Sequence, residues 1–173
     1  MRIFLTGGSG YIGSAVLDAF VRAGHRVDAL VRNSEKAALV QGRGAVPVLG
    51  DLAEPATYAD AAAAADGVVH TAIEEPARRA EVDAAALDAF LAPAKPAGRF
   101  IIYTSGCWVL GPSPEPADES AGVNPIDLVA WRPAHERKVL DAATGAMPEG
   151  SPADLVMIFA SKHHADSLGW MAV

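Results

Sequence analysis

The chain has one cysteine, Cys107, in 173 residues, which excludes an internal disulfide framework and any zinc site built from cysteines. Basic charge is also scarce: 14 Lys and Arg stand against 21 Asp and Glu, for a net charge of −7. Such a chain lacks the basic footprint that a phosphate backbone requires, so nucleic acid is not an expected partner. No apolar run approaches the ~20 residues that cross a bilayer, so no membrane partner is expected either. The opening Met1-Arg2-Ile3-Phe4-Leu5-Thr6 has neither the long apolar stretch nor the small-residue cleavage site of a signal peptide. A cytoplasmic chain is the expectation. What is plentiful is apolar: 51% of residues are hydrophobic and 20% charged, enough for a packed core at a length that suits one domain over 1–173.

Short apolar runs alternate with helix-length segments. Strands are expected at 2–5, 26–31, 46–49, 67–71, 99–104 and 155–160, and helices at 14–23, 34–40, 58–65, 81–91 and 133–143. Val16, Leu17, Phe20 and Val21 recur at helical spacing, Gly24 suits the residue just past that helix, and Ser34 suits an N-cap. The alanine run 61–65 reads as a helical surface. This rhythm implies right-handed βαβ crossovers, hence an α/β fold: a doubly wound parallel sheet with helices on both faces. Pro112, Pro114, Pro116 and Pro125 interrupt it over 111–125. A loop of that length either flanks a substrate cleft or forms a surface excursion. Residues 148–152 are a second breaker.

Thr6-Gly7-Gly8-Ser9-Gly10-Tyr11-Ile12-Gly13 carries the strongest chemical implication. Gly7, Gly10 and Gly13 are spaced by three between the first strand and the first helix. Glycine permits the positive φ of a tight turn, and its missing Cβ lets a pyrophosphate approach the backbone. The following helix offers free amides and the positive end of its dipole. Gly13 would let that helix pack closely on the strand.

With Gly50-Asp51-Leu52, Val68-Val69-His70-Thr71-Ala72 and Tyr103-Thr104-Ser105-Gly106, this turn makes residues 1–140 resemble an extended or atypical short-chain dehydrogenase/reductase. That is the group of NAD(P)-dependent epimerases and dehydratases. The resemblance implies a Rossmann sheet with a dinucleotide across its C-terminal strand ends, followed by a smaller substrate domain. It places Asp51 at the adenine amino group and Leu52 against the ring, although Asp51 also suits the N-cap of a segment starting near Ala53. It brings the backbone of Thr71, Ala72 and Ile73 past the nicotinamide-side ribose, with Thr104 also beside the cofactor. His70 is expected to be a satisfied core histidine.

The residue meeting the adenosine ribose lies about 20 positions beyond the glycine turn, at the end of the second strand. The sequence there is Leu30-Val31-Arg32-Asn33, with no carboxylate to accept from both ribose hydroxyls. A guanidinium at Arg32 suits the 2′-phosphate of NADP instead. The expected cofactor is NADP, with NAD the alternative.

The resembling family uses a Ser or Thr after the fifth strand and a Tyr-x-x-x-Lys pair on the next long helix, the lysine lowering the tyrosine pKa. This chain departs from that pattern. Val129-Ala130-Trp131-Arg132-Pro133-Ala134-His135 puts Trp131 near the tyrosine position and His135 near the lysine. An indole cannot serve as the acid, whereas His135 can hold a ribose hydroxyl or exchange a proton near neutral pH. Gly106 falls near the usual serine, which leaves Ser105 as the candidate hydroxyl. Cys107 is expected to be a small buried residue.

Residues 145–173 are expected to be a divergent or truncated tail: the Arg-Pro-Gly-type sequence expected after the sixth strand is absent, and the adjacent His163 and His164 read as tail residues and not as a metal site. Family members continue well beyond this point, so much of the substrate pocket is expected to be missing. Apolar surface left bare there would favour a homodimer or poor solubility. Two functions follow. One is an NADP-dependent oxidoreductase acting on a small carbonyl or sugar-like substrate, with Ser105 and His135 as acid/base groups. The other is a non-catalytic dinucleotide-binding module, either a redox sensor or a degenerate remnant.

Overall fold

The computed structural model describes residues 1–92, 99–112, 121–145 and 156–159. Six parallel strands form one sheet in the order β3-β2-β1-β4-β5-β6. They are β1 (Arg2–Thr6), β2 (Arg26–Val31), β3 (Val46–Leu49), β4 (Gly67–His70), β5 (Phe100–Ser105) and β6 (Val156–Phe159). The helices between them are α1 (Tyr11–Arg22), α2 (Ser34–Gln41), α3 (Ala59–Ala63), α4 (Arg79–Leu91) and α5 (Arg132–Gly145). The order reverses between β1 and β4, and it is outside the carboxyl ends at such a reversal that ligands bind in open α/β sheets. In register, Leu5 lies beside Ala29 on one side and Val69 on the other, and Val69 beside Ile102.

Strand alternation divides the core between the two faces. Ile3, Leu5, Val27, Ala29, Val31 and Val69 pack with Leu17 of α1 and Val40 of α2. Phe4, Leu30, Val68 and Tyr103 point the other way, toward Ala62, Leu87, Phe90 and Val139 of α3, α4 and α5. Both sides of β1 are therefore fully buried, which explains its unbroken apolar run. One buried polar exception is Asp28 of β2, which accepts from Arg26 Nε at 3.0 Å and from Arg2 Nε.

Several boundaries differ from the sequence expectation. Helix α1 opens at Tyr11 and not at residue 14, because Gly10 is already its extended N-cap. Gly24 does end it, at φ +80°. Helix α2 is capped by Asn33 and not by Ser34: the Asn33 side chain accepts from Lys36 N at 2.9 Å. Helix α3 is short, and Ala62 and Ala65 are buried in the core, so the alanine run is not a purely surface feature. Cys107 is exposed, in a 3₁₀ turn over Cys107–Val109, and is not the buried residue expected. Most of the proline-rich loop, the 148–152 breaker, His163 and His164 lie outside the described residues. Among the described residues no helix is long and apolar enough to cross a membrane, and no three His, Cys, Asp or Glu side chains are grouped to hold a metal.

Candidate functional site

Strand β1 delivers its chain to the switch point, where Gly7 turns it at φ +75°. The turn closes through Gly10 N donating to Gly7 O at 2.8 Å, and α1 begins at once. Gly10 brings no side chain to its cap, and by helix geometry the amides of Tyr11, Ile12 and Gly13 have no intrahelical acceptor. A Cβ on Gly13 would overlap the Gly7 carbonyl and lie 2.7 Å from Thr71 Oγ1, so helix, turn and the segment after β4 meet as closely as backbones allow. A Cβ on exposed Gly10 would meet only Gly7 O, at 3.2 Å. Bare amides therefore face an open side that a methyl would fill, and these residues fit a diphosphate.

The walls of the turn come from neighbouring strands. Thr71 Oγ1 donates to Thr6 O at 2.7 Å, and Ala72 N donates to Thr6 Oγ1 at 3.3 Å, which fixes the backbone leaving β4 against Gly7. Ile73 is exposed just beyond. On the other side Val31 is buried at the end of β2 and Arg32 projects outward, its side chain 66% exposed and 3.8 Å from Glu74. An ion pair this exposed is worth at most about 1 kcal/mol, so the guanidinium is available to a ligand. Asp51 Oδ1 accepts from Ala53 N at 2.9 Å, a local turn and not a helix cap. Leu52 is buried in the core beside Phe4, and its carbonyl accepts from the Tyr58 hydroxyl at 3.1 Å. Burial, with the nearby Asp51 charge, pushes the Tyr58 phenol up to about 12.

Beyond the turn lies a polar cluster that sequence reasoning missed in part. Asp83 of α4 is surrounded by His70 of β4, Tyr103 of β5 and His135 of α5, at 3.2, 2.8 and 2.6 Å. Burial would raise the Asp83 pKa, but hydrogen bonds from His135, from His70 and from the Tyr103 hydroxyl together hold it well below the usual carboxylate range. Burial, then the Asp83 charge, pushes the Tyr103 phenol far up. Arg132 Nη1 donates to Thr104 O at 2.9 Å, and its guanidinium carbon sits 4.5 Å from the centre of the Trp131 ring. The Trp131 ring meets His135 edge-on at 4.9 Å. The Ser105 hydroxyl donates to Glu136, and both residues are buried. His70 is thus the satisfied core histidine expected. Asp83 could have been noticed as a lone acid on the same helical stripe as Ala86, Leu87 and Phe90; nothing in the spacing marked Glu136 or Arg132.

The structure therefore brings Gly7, Gly10, Gly13, Thr71 and Ala72 around one turn, while at the β5–α5 end Ser105 bonds Glu136 and His135 bonds Asp83. Residues 7–139 match the family described as NAD(P)H-binding. The chain belongs to that family. Over 83 residues, 48% of this chain and 25% of the relative, it is 43% identical to the 4-hydroxy-2-methyl-3-oxo-4-farnesyl-3,4-dihydroquinoline-1-oxide ketoreductase of Stigmatella aurantiaca. Its fold is shared with epimerases and with short-chain dehydrogenase/reductase proteins of known structure. The UDP-glucose-4-epimerase of Stenotrophomonas maltophila, solved with NAD, superposes with a TM-score of 0.74 at 21% identity, covering 92% of this chain and 52% of that one. An NADPH-dependent quinone oxidoreductase from Escherichia coli, solved with NADPH, gives 0.61 at 23% identity, with 81% and 45% covered. NAD(P)H-binding folds of this kind thus include carriers of either nucleotide. The chain spans 21–43% of the length of the curated relatives it matches.

Proposed function

We propose that this NAD(P)H-binding chain is an oxidoreductase that prefers NADP(H) to NAD(H) and acts on a small carbonyl or sugar-like substrate. One observation carries the cofactor preference: the ribose end of the site offers exposed Arg32, with no carboxylate at the end of β2. The amides of Tyr11, Ile12 and Gly13 hold the diphosphate, and Arg32 meets the 2′-phosphate. Asp51, Thr71, Ala72, Ile73 and Thr104 border the remainder of the nucleotide; Leu52 supports it from the core. A bound nicotinamide supplies the hydride chemistry.

The protein's own part is the proton. Ser105 directs its hydroxyl at Glu136, so its lone pairs can accept from the hydroxyl of the alcohol form of the substrate but cannot donate to a carbonyl. His135 gives or takes the proton. The test is titration with NADPH and NADH, followed by NADPH oxidation across a panel of small carbonyls. NADPH is expected to bind more tightly, and Arg32→Ala to weaken NADPH by about 10–100-fold, the value of one charge-assisted contact, while leaving NADH unchanged. Equal affinity for the two, or a stronger response of NADH, overturns the preference.

A second reading has its own support. Trp131 stands just before α5, near where the resemblance places a tyrosine, and the Ser105 proton is already committed to Glu136. A dinucleotide-binding module without turnover fits those facts. Tight NADPH binding with no oxidation by any carbonyl selects it.

A further inference from the structure

The ring of hydrogen bonds around Asp83 has a direction. A carboxylate held ionised only accepts, so each of its three neighbours must donate to it. Tyr103 donates its hydroxyl to Oδ2 at 2.8 Å. His70 faces Oδ1 with Nε2, at 3.2 Å, and His135 faces Oδ2 with Nδ1, at 2.6 Å. The two imidazoles therefore meet one carboxylate through different nitrogens. On the far side of His70, Nδ1 lies 2.6 Å from Thr6 Oγ1. With its proton on Nε2, a neutral His70 has only a lone pair at Nδ1, so Thr6 must donate there. The Thr6 oxygen then accepts from Ala72 N, as observed at 3.3 Å. The chain of donors runs in one sense from the wall of the glycine turn to Asp83.

We propose that Asp83 is a positioning residue that fixes His70 and His135 in opposite tautomers, with the His70 proton on Nε2 and the His135 proton on Nδ1. It thereby does two jobs. Through His70 it sets the direction of the Thr6 hydroxyl, and with it the Thr71–Ala72 wall beside Gly7. Through His135 it leaves Nε2 as the free end of that ring, since among the described residues only Nδ1 carries a hydrogen bond. Nε2 is then an acceptor in the neutral ring and a donor in the protonated one, which is what an acid/base group requires. The orientation is held from all sides. His70 stacks on Tyr103 at 5.8 Å and meets Phe90 edge-on at 5.4 Å, while Trp131 covers His135. The charged and titratable groups around the carboxylate are His70 of β4, Tyr103 of β5 and, on α5, His135, Arg132 and Glu136; Arg132 reaches the Tyr103 hydroxyl at 3.4 Å.

The use of His135 on a substrate rests on the oxidoreductase reading above; the tautomers do not. Nitrogen-15 spectra of the intact wild-type protein, recorded across a pH series up to alkaline buffer, assign the proton of each ring. Opposite tautomers support the proposal. The same tautomer for both, or a proton on Nε2 of His135, overturns it. In Asp83→Asn the new amide both donates and accepts, so His135 should split between its two tautomers; an unchanged single Nδ1–H form overturns the proposal. Should that variant fail to fold, the wild-type spectrum alone decides. Opposite tautomers in a protein that oxidises NADPH with no carbonyl support the role of Asp83 and overturn the oxidoreductase reading. Turnover by a protein whose His135 carries its proton on Nε2 does the reverse.

Discussion

One methyl group placed at Gly10 or at Gly13 separates the two duties of the glycine turn. At Gly13 the added Cβ would stand 2.6 Å from the Gly7 carbonyl carbon and 2.7 Å from Thr71 Oγ1. The carbonyl is backbone, and the Thr71 hydroxyl is tied to Thr6 O, so neither can swing aside. Overpacking of this kind costs about 1–3 kcal/mol. For a chain of this size that lowers the melting temperature by about 2–12 °C. At Gly10 the backbone is already extended, φ −87° and ψ 178°, and the nearest atom is 3.2 Å away. Gly10→Ala should therefore cost no more than about 1 kcal/mol, the scale of a weakened N-cap. Its methyl, however, stands where a diphosphate reaches the first-turn amides. Loss of one such charge-assisted contact, about 1.5–3 kcal/mol, weakens NADPH by roughly 10–100-fold. Thermal melts of the two variants, each with and without NADPH, give the readout. Gly13→Ala should lose stability and binding together, and Gly10→Ala binding almost alone. A Gly10→Ala protein that binds NADPH as tightly as the wild type refutes the reasoning, as does a Gly13→Ala protein that melts with the wild type.

Two further predictions concern pH. The Asp83 carboxyl titrates lower folded than unfolded, so its stabilisation is complete above the unfolded value near ~4 and is lost as pH falls through that value toward the folded one. Acid unfolding followed by circular dichroism should therefore steepen below about pH 4, and Asp83→Asn should remove that slope; an equally steep variant contradicts it. The Tyr58 phenol, pushed up to about 12, runs the opposite way. Its stabilisation is present below the unfolded value near ~10 and is lost as pH rises toward the folded one, so urea midpoints should drop across that window and Tyr58→Phe should flatten the drop.

The architecture was legible because its causes are local. Apolar runs such as 3–5 and 67–69 are buried from both sides; the bounds of β2 and β3 could also be read directly, although Val46 and Leu49 of the edge strand β3 are exposed. Helix starts were harder, because a cap is decided by one hydrogen bond. Asn33 captures the Lys36 amide although Ser34 is also a capping residue. Gly10 opens α1 three residues before the apolar spacing becomes visible. The glycine turn was legible for the same reason as the strands: its chemistry is carried by adjacent residues. The cluster around Asp83 was not, because it joins positions 6, 70, 83, 103 and 135 from five separate elements. No spacing rule connects residues so distant in the chain. The exposure of Cys107 was missed because its environment depends on how the chain turns after β5, and not on its neighbours in sequence.

The central claim is that the bare amides opening α1 hold a nucleotide diphosphate. It is tested most directly by following the backbone amide resonances of Tyr11, Ile12 and Gly13 while NADPH is added. Large, saturable shifts in these three, with little change at Arg26 and Asp28 on the opposite end of the sheet, are the expected result. If those amides stay still while NADPH saturates another part of the surface, or while no saturable change occurs anywhere, the account is wrong.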